Sequence, residues 1–294
     1  MASGITVTGS LTDSQDQILD SARIRREYPP QVARLCERHT LDENTGLSWE
    51  EAELNRFTAQ SVTETTVLEN AQQYADTLQT YTPTVTGLTT IVTDRVYRRL
   101  SKKSIAKMGT QVMDAINRKK DLDGLSAIDG FTNSQPGAGT SLASSTIAAA
   151  KVNISSNTTE GATGPCRGVL HGFQLHDLLT EMVQPIGSYP VPDGLTEAMY
   201  REGFMGKVDG VDLFEDGNIV IDSSADSKGG VFVSMAMLLI QGHGIRKETK
   251  RRPELGGGAD QMWVYDEYIF GERLSNSSSV FGWEIYSDAT APTV

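Results

Sequence analysis

Residues 91–131 read IVTDRVYRRLSKKSIAKMGTQVMDAINRKKDLDGLSAIDGF. Ile105, Met108, Val112, Met113 and Ile116 recur at steps of three and four, which lays one apolar stripe along a helix. Ser101 or Ser104 stands where a cap is needed, and Asp121–Gly124 and then Asp129–Gly130 supply turn residues that close the helix. The predicted helix covers 101–128, with 101–122 as its regular part. Lys102, Lys103, Lys107, Arg118 and Lys119 fall mostly off the stripe, so the helix carries a basic face.

That charge has a counterpart upstream. Residues 94–120 hold nine basic residues against Asp94 and Asp114, whereas residues 41–76 hold eight acidic residues and one basic one, Arg56. Adjacent blocks of opposite sign mark either two solvated faces or two surfaces that meet, within a chain or between chains. The net charge of −12 argues against a dedicated nucleic-acid binder, which carries a basic surplus.

The flanks of the helix differ in kind. Residues 1–30 are polar, with a short helical pattern around Ile18, Ala22 and Ile24 that the Tyr28-Pro29-Pro30 run stops. This reads as an arm without a core of its own. Ser48–Leu54 reads as a helix start, and residues 57–94 are rich in Thr, Val and Gln, which favour strands, yet few large apolar residues alternate there. A long hairpin with little core fits that composition, and a lone hairpin is marginal in water, so it must bury its surface elsewhere.

Downstream, the segments become compact. A helix is predicted at 141–152, a strand then a helix at 167–182, a short helix at 195–204, and a hairpin at 206–214 with Asp209-Gly210 at its turn. Residues 231–240 are apolar, part strand and part short helix, and 261–274 and 279–288 are aromatic-rich strands. Separated helices and hairpins indicate α+β rather than an alternating βαβ array. No apolar run approaches the ~20 residues of a membrane span, and the N-terminus lacks the basic start and apolar stretch of a secretion signal. Two cysteines, Cys36 and Cys166, do not make a disulfide framework, which fits a reducing interior.

No motif in the sequence carries a complete catalytic or ligand-binding signature. Gly206-Lys207 is followed by Val208, so the hydroxyl of a phosphate loop is missing, and Asp209, Asp212, Asp121 and Asp123 lack calcium-loop spacing. Cys36 and His39 have half of a zinc spacing without a second pair and read as an ordinary helix-surface pair. Cys166 with His171 is the one nucleophile–base pairing to weigh; a plain loop thiol is the simpler reading. No catalytic, cofactor-binding or metal-binding residue is therefore predicted, and the chain is not expected to be an enzyme.

The order of these elements, and several phrases within them, resembles the major capsid proteins of tailed bacteriophages, the Hong Kong 97-type shell fold. Residues 91–131 look like the strand end of that family's extended loop followed by its spine helix. GVLHGFQLHDLL (168–179) looks like the strand–helix of its axial domain, GFMGKVDGVDLFEDGNIVID (203–222) like its recurring glycine hairpin, and VFGWEIYSDA (280–289) like its closing peripheral strand. The resemblance implies an N-terminal arm at 1–40, an extended loop at 41–93, a peripheral domain at 94–131 and 241–294 with spine helix 101–122, and an axial domain at 132–240. About 30–45 residues precede the loop by these element lengths, too few for a fused scaffolding segment. No self-crosslinking lysine–asparagine pair is placed.

The implied function is self-assembly, through hexamers and pentamers, into an icosahedral virion head around double-stranded DNA, within the host cytoplasm. Implied partners are further copies of the chain, portal, scaffolding and decoration proteins, and weak non-specific contact with packaged DNA; no cofactor and no membrane is expected. The expected subunit interface sets Asp42, Glu43, Glu50, Glu51, Glu53 and Glu64 of the loop against Arg95, Arg98, Arg99, Lys102 and Lys103 beside the next subunit's spine helix. Two alternatives remain at this point: an encapsulin-type compartment shell on the same fold, and a small α+β enzyme or ligand-binding domain using the Cys166/His171 region.

Overall fold

The computed structural model describes residues 5–6, 28, 30–44, 46–65, 71–99, 102–183, 206–255 and 257–292. In chain order the elements are β1 (Ile5–Thr6), α1 (Val32–Leu35), β2 (Glu37–Thr40), β3 (Trp49–Leu54), β4 (Asp76–Tyr81), β5 (Thr84–Thr93), α2 (Asp94–Arg99) and α3 (Lys102–Asp129). There follow β6 (Ser134–Pro136), α4 (Ser144–Ser155), β7 (Cys166–Leu170), α5 (Gly172–Val183), β8 (Lys207–Val208) and β9 (Val211–Glu215). The chain closes with β10 (Asp226–Val233), a 3-10 turn at Ser234–Ala236, β11 (Met237–Gln241), β12 (Arg246–Arg252), β13 (Ala259–Glu272) and β14 (Gly282–Asp288). The helical pattern near 18–24 and the short helix predicted at 195–204 lie outside the described residues.

The described strands form two larger sheets and a separate hairpin. The first sheet has the order β1-β5-β13-β11-β2, with β12 also paired to β13; the second has the order β6-β14-β10-β7-β9-β8; β3 and β4 pair only with each other. Strand β13 is the spine of the first sheet, antiparallel to β5 from Ala259 to Tyr268 and to β11 from Tyr268 to Glu272. Strand β10 is buried almost throughout and centres the second sheet between β14 and β7.

Helix α3 joins the two sheets. At 1.5 Å per residue its 28 residues span ~42 Å. Val112 and Ile116 rest on Val264 of β13 with Leu88, Met113 and Met262 around them. Nearer its end, Leu125 and Ile128 enter the main core with Phe131, Phe232, Val231 and Ile285. The helix runs to Asp129, as the predicted span 101–128 has it and past the spine segment 101–122, because Asp121 and Gly124 face neighbouring elements rather than water. Asp121 is wholly buried, and Gly124 lies under Val32 and Phe270. Local turn signals yield to tertiary packing here.

Three further expectations change. Residues 31–40 do not belong to a coreless arm: Val32, Ala33, Leu35 and Cys36 are buried, and β2 runs parallel to β11. Residues 48–54 do not start a helix. Trp49, Glu51 and Glu53 turn inward and Glu50, Ala52 and Leu54 outward, a period of two that the partner strand β4 makes decisive. Residues 84–93, expected within the extended loop, are a full strand of the first sheet, and β3–β4 form a separate two-stranded hairpin. The predicted turn at Asp209-Gly210 is present, with φ of 48° and 81°, the left-handed pair that a two-residue hairpin requires.

Two buried polar clusters fix the assembly of elements. Asp121 Oδ1 accepts hydrogen bonds from the backbone N–H groups of Gln31 (2.9 Å) and Val32 (3.2 Å), and Oδ2 accepts one from Asn218 Nδ2 (2.9 Å). One carboxylate thus ties α1, α3 and the turn after β9 together. Gln174 of α5 donates to Ser287 Oγ (2.7 Å) and the Ser227 carbonyl (3.1 Å) while accepting from the His171 N–H (3.0 Å), which clamps α5 to β10 and β14.

Candidate assembly surface

The β3–β4 hairpin has two unlike faces. Its inner face is polar and bonded to the rest of the chain. Arg273, at the end of β13, pairs with Glu37 of β2 (2.6 Å) and Glu51 of β3 (3.1 Å) and donates to the Met235 carbonyl (3.1 Å). The Arg273 guanidinium holds the Glu37 carboxyl below the usual carboxylate range. Glu53 accepts from Ser275 Oγ (3.0 Å) and the Asn276 N–H (2.8 Å). Gln79 and Leu274 exchange hydrogen bonds, and Tyr81 Oη donates to the Glu272 carbonyl (2.7 Å). The Tyr81 ring lies directly against Gly271, where any side chain would collide with it. Trp49 stacks on His39 of β2 at 4.6 Å.

The outer face stands in solvent. Leu54 is 64% exposed and Leu78 58% exposed, with Ala52, opposite Leu78 in the register, also open. Along the connection Phe57 and Tyr74 meet edge-to-face at 4.6 Å, and both, with Val62, stand in solvent. Glu50, Asp76 and Thr80 share this outer face, so apolar and polar side chains alternate on it in water. Leu47, just ahead of it, is 83% exposed.

The expected interface residues divide. Glu51 and Glu53 are engaged within the subunit, as above. Glu43, Glu50 and Glu64 are exposed with no ion-pair partner among the described residues, and Asp42 is exposed. Arg95 and Arg98 stand exposed on α2, immediately after β5. The side chains of Arg99, Lys102 and Lys103 lie outside the described residues. Lys120, counted in the basic block, is internal: it pairs with the buried Asp266 at 2.9 Å, donates to Gln241 Oε1 at 2.8 Å and sits over the Tyr268 ring at 4.6 Å. The sequence reading missed the most basic strand altogether. In β12 Arg246, Lys247, Lys250, Arg251 and Arg252 surround one glutamate, and six of its seven residues are exposed. Its charge run was the available signal.

The chemical candidates resolve as structure. Cys166 is not in a loop; it begins β7, 5% exposed, with its thiol pushed up by burial, while Lys151 opposes the shift weakly. His171 follows the other end of that strand, so the two are ~16 Å apart at 3.3 Å per residue and form no dyad. Burial lowers the His171 pKa, and its Nδ1 accepts from the Phe173 N–H at 3.2 Å. Cys36 is not on a helix surface: it ends α1, buried, its thiol pushed up to about 12 by desolvation, whereas His39 lies in β2. Lys207 pairs with Asp212 across the β8–β9 hairpin at 3.2 Å. Among the described residues no group of three or more His, Cys, Asp or Glu side chains is placed to hold a metal ion, and no helix is long and apolar enough to cross a membrane.

No protein-family model and no curated protein matches the sequence. Solved structures do. The capsid of Helicobacter pylori bacteriophage KHP30 superposes at a TM-score of 0.71, with 11% identity over 97% of this chain and 98% of that one. The head of Helicobacter pylori bacteriophage KHP40 gives 0.70, with 12% identity over 93% and 94%. The capsid of cyanophage Pam1 gives 0.69, with 10% identity over 99% and 100%. The chain therefore has the fold of tailed-phage capsid subunits, the Hong Kong 97-type fold expected from its sequence phrases.

Proposed function

We propose that this chain is a major capsid protein, which assembles through hexamers and pentamers into an icosahedral phage head around double-stranded DNA. The observation that carries the reading, given the fold, is the two-faced hairpin. Glu51, Glu53, Gln79 and Tyr81 on one face are engaged within the subunit, and Ala52, Leu54 and Leu78 on the other, beside Glu50, are left for a neighbour. In this reading β3–β4 is the extended loop. The first sheet with α2 and the first half of α3 forms the peripheral domain, and the second sheet with α4 and α5 forms the axial domain. The acidic loop residues Asp42, Glu43, Glu50 and Glu64 face the basic residues Arg95, Arg98, Arg99, Lys102 and Lys103 of the adjoining subunit. Portal, scaffolding and decoration proteins are the further partners, and assembly takes place in the host cytoplasm. The role is structural, and packaged DNA is held loosely because a subunit of net charge −12 repels it.

The test is Leu54→Asp with Leu78→Asp. Both side chains are exposed in the subunit, so its stability should change by less than about 0.5 kcal/mol. Closed shells seen by electron microscopy for the parent chain should give way to free subunits or small oligomers. Normal shells from the double variant would refute the assignment of this face.

A further inference from the structure

The turn that follows β9, at Asp216–Asn218, closes a seam between α3 and the entrance to α1. Asp216 and Asp121 are both wholly buried and lie in contact there. Asn218 bridges them: its backbone N–H donates to Asp216 Oδ1 (2.9 Å) and its Nδ2 to Asp121 Oδ2 (2.9 Å). Asp121 Oδ1 accepts the N–H groups of Gln31 (2.9 Å) and Val32 (3.2 Å), where the chain enters α1. Asp216 Oδ2 has no donor among the described residues. A buried acceptor without a donor is costly, and two ionised carboxylates in contact are costlier still; one proton held between the acids removes both penalties. Tyr28 covers the seam from outside. Its ring lies over Gly217, where any side chain would collide with it, and the residue is 54% exposed. The neighbouring groups supply no substitute for the proton. Glu215 of β9 adds negative charge. Arg38 of β2 and Arg167 of β7 are bound to the Ala33 (2.8 Å) and Leu35 (2.7 Å) carbonyls of α1. Burial keeps His171, beside Glu215, neutral to lower pH, and desolvation pushes the Cys36 thiol up to about 12.

We infer that the Asp121–Asp216 pair is a proton-operated clasp on the chain entering α1: residues 28–32 are held to the body while the pair shares a proton, and open locally when it is lost. The inference goes beyond the shell reading and does not depend on it. Loss of the proton leaves two carboxylates in contact at a site that water reaches by lifting Tyr28 and parting Gln31 and Val32 from Asp121. Neither acid can retreat instead. The end of α3 is fixed in the main core, and the Asp216 N–H is tied to the Leu170 carbonyl at 3.0 Å. Val32, Ala33 and Leu35 stay packed in that core, which confines the movement to the N-terminal side of α1. Desolvation, and then the contact with Asp121, raise the Asp216 pKa from 3.8 to about 7. A carboxyl raised in the closed state favours closure fully below its solvated pKa. The clasp therefore weakens as pH climbs from about 4 to about 7 and loosens no further above that.

The experiment is amide hydrogen exchange of the full, unassembled chain, read at Gln31 and Val32 and, as the measure of global unfolding, at Val231 and Phe232 of β10. Between about pH 5 and about pH 7 the chemistry of exchange alone accelerates about a hundredfold, and an opening linked to loss of one proton should add at least about tenfold more. Gln31 and Val32 should show that excess and should exchange faster than the β10 amides at both pH values. Asp216→Asn should abolish the excess. Tyr28→Ala, at an exposed position, should speed both amides at each pH and leave the excess in place. Acceleration of the parent by the chemical factor alone overturns the inference. So does exchange of Gln31 and Val32 at the β10 rate, which would make their opening part of global unfolding. An excess that survives Asp216→Asn would belong to another group and overturn it too, and parent-like exchange in Tyr28→Ala would overturn the route by which the seam opens.

Discussion

Replacing Asp216 by asparagine should make the subunit more stable above neutral pH and leave it nearly unchanged in acid. Asp216 is wholly buried beside Asp121. Asp121 already accepts three hydrogen bonds, from Gln31, Val32 and Asn218. Asp216 Oδ1 accepts from the Asn218 N–H at 2.9 Å, and Oδ2 has no donor among the described residues. Desolvation, and then the contact with Asp121, push its pKa from 3.8 to about 7, with Glu215 adding to the rise and the Asn218 N–H opposing it. A carboxyl raised in the folded state contributes fully below its unfolded pKa. That contribution fades as pH climbs from about 4 to about 7 and is gone above. At 1.36 kcal/mol per pH unit the loss has a ceiling of about 4 kcal/mol, and water reaching the site brings it to on the order of 2–4 kcal/mol. Asparagine keeps the shape, keeps the Oδ1 acceptor, and offers Asp121 an N–H in place of the acid proton. Urea unfolding followed by tryptophan fluorescence at pH 5 and pH 8 measures the effect. The parent should lose stability between these values, and Asp216→Asn should lose on the order of 2 kcal/mol less. Parallel pH dependence for the two proteins would refute the shared-proton reasoning.

Two substitutions probe how the hairpin is held. Arg273→Met leaves Glu37 and Glu51 facing each other without their cation; the half-buried site should cost about 2 kcal/mol and open the hairpin base to limited proteolysis, with the body of the fold still melting cooperatively. Gly271→Val drives a side chain into the Tyr81 ring, so it should displace the hairpin and lower shell yield more than it lowers the melting temperature. Hydrogen exchange of the Trp49–Leu54 amides checks both: faster exchange is expected in each variant, and unchanged exchange in either would mean that other contacts hold the hairpin.

Much of the architecture is legible in residue pattern alone, for reasons particular to each element. The stripe Val112, Met113, Ile116 has to face an apolar sheet wherever that sheet lies, so helix α3 announces itself. Asp209-Gly210 makes its turn because few other pairs accept two positive φ angles in succession. The alternation in β13 and β14 follows from their lying with one face more deeply buried than the other. What escaped the sequence depended on distant partners. Residues 48–54 carry helix-start residues, and only pairing with β4, more than twenty residues on, makes them a strand. Cys36 and His39 look surface-like until β2 is laid beside β11, 200 residues away.

The candidate surface divides in the same way. The sequence by itself determined that an acidic, core-poor excursion precedes a basic amphipathic helix, since charge and hydrophobicity are properties of residues. Which charges are available for a neighbour was decided by the tertiary structure. Lys120 is consumed by Asp266, Glu51 by Arg273 and Glu53 by the Ser275–Asn276 turn, whereas Lys247 and Lys250 are left unpaired on a strand that the charge blocks did not include. An ion pair needs two side chains within about 4 Å, and that distance is set by the fold, not by separation along the chain.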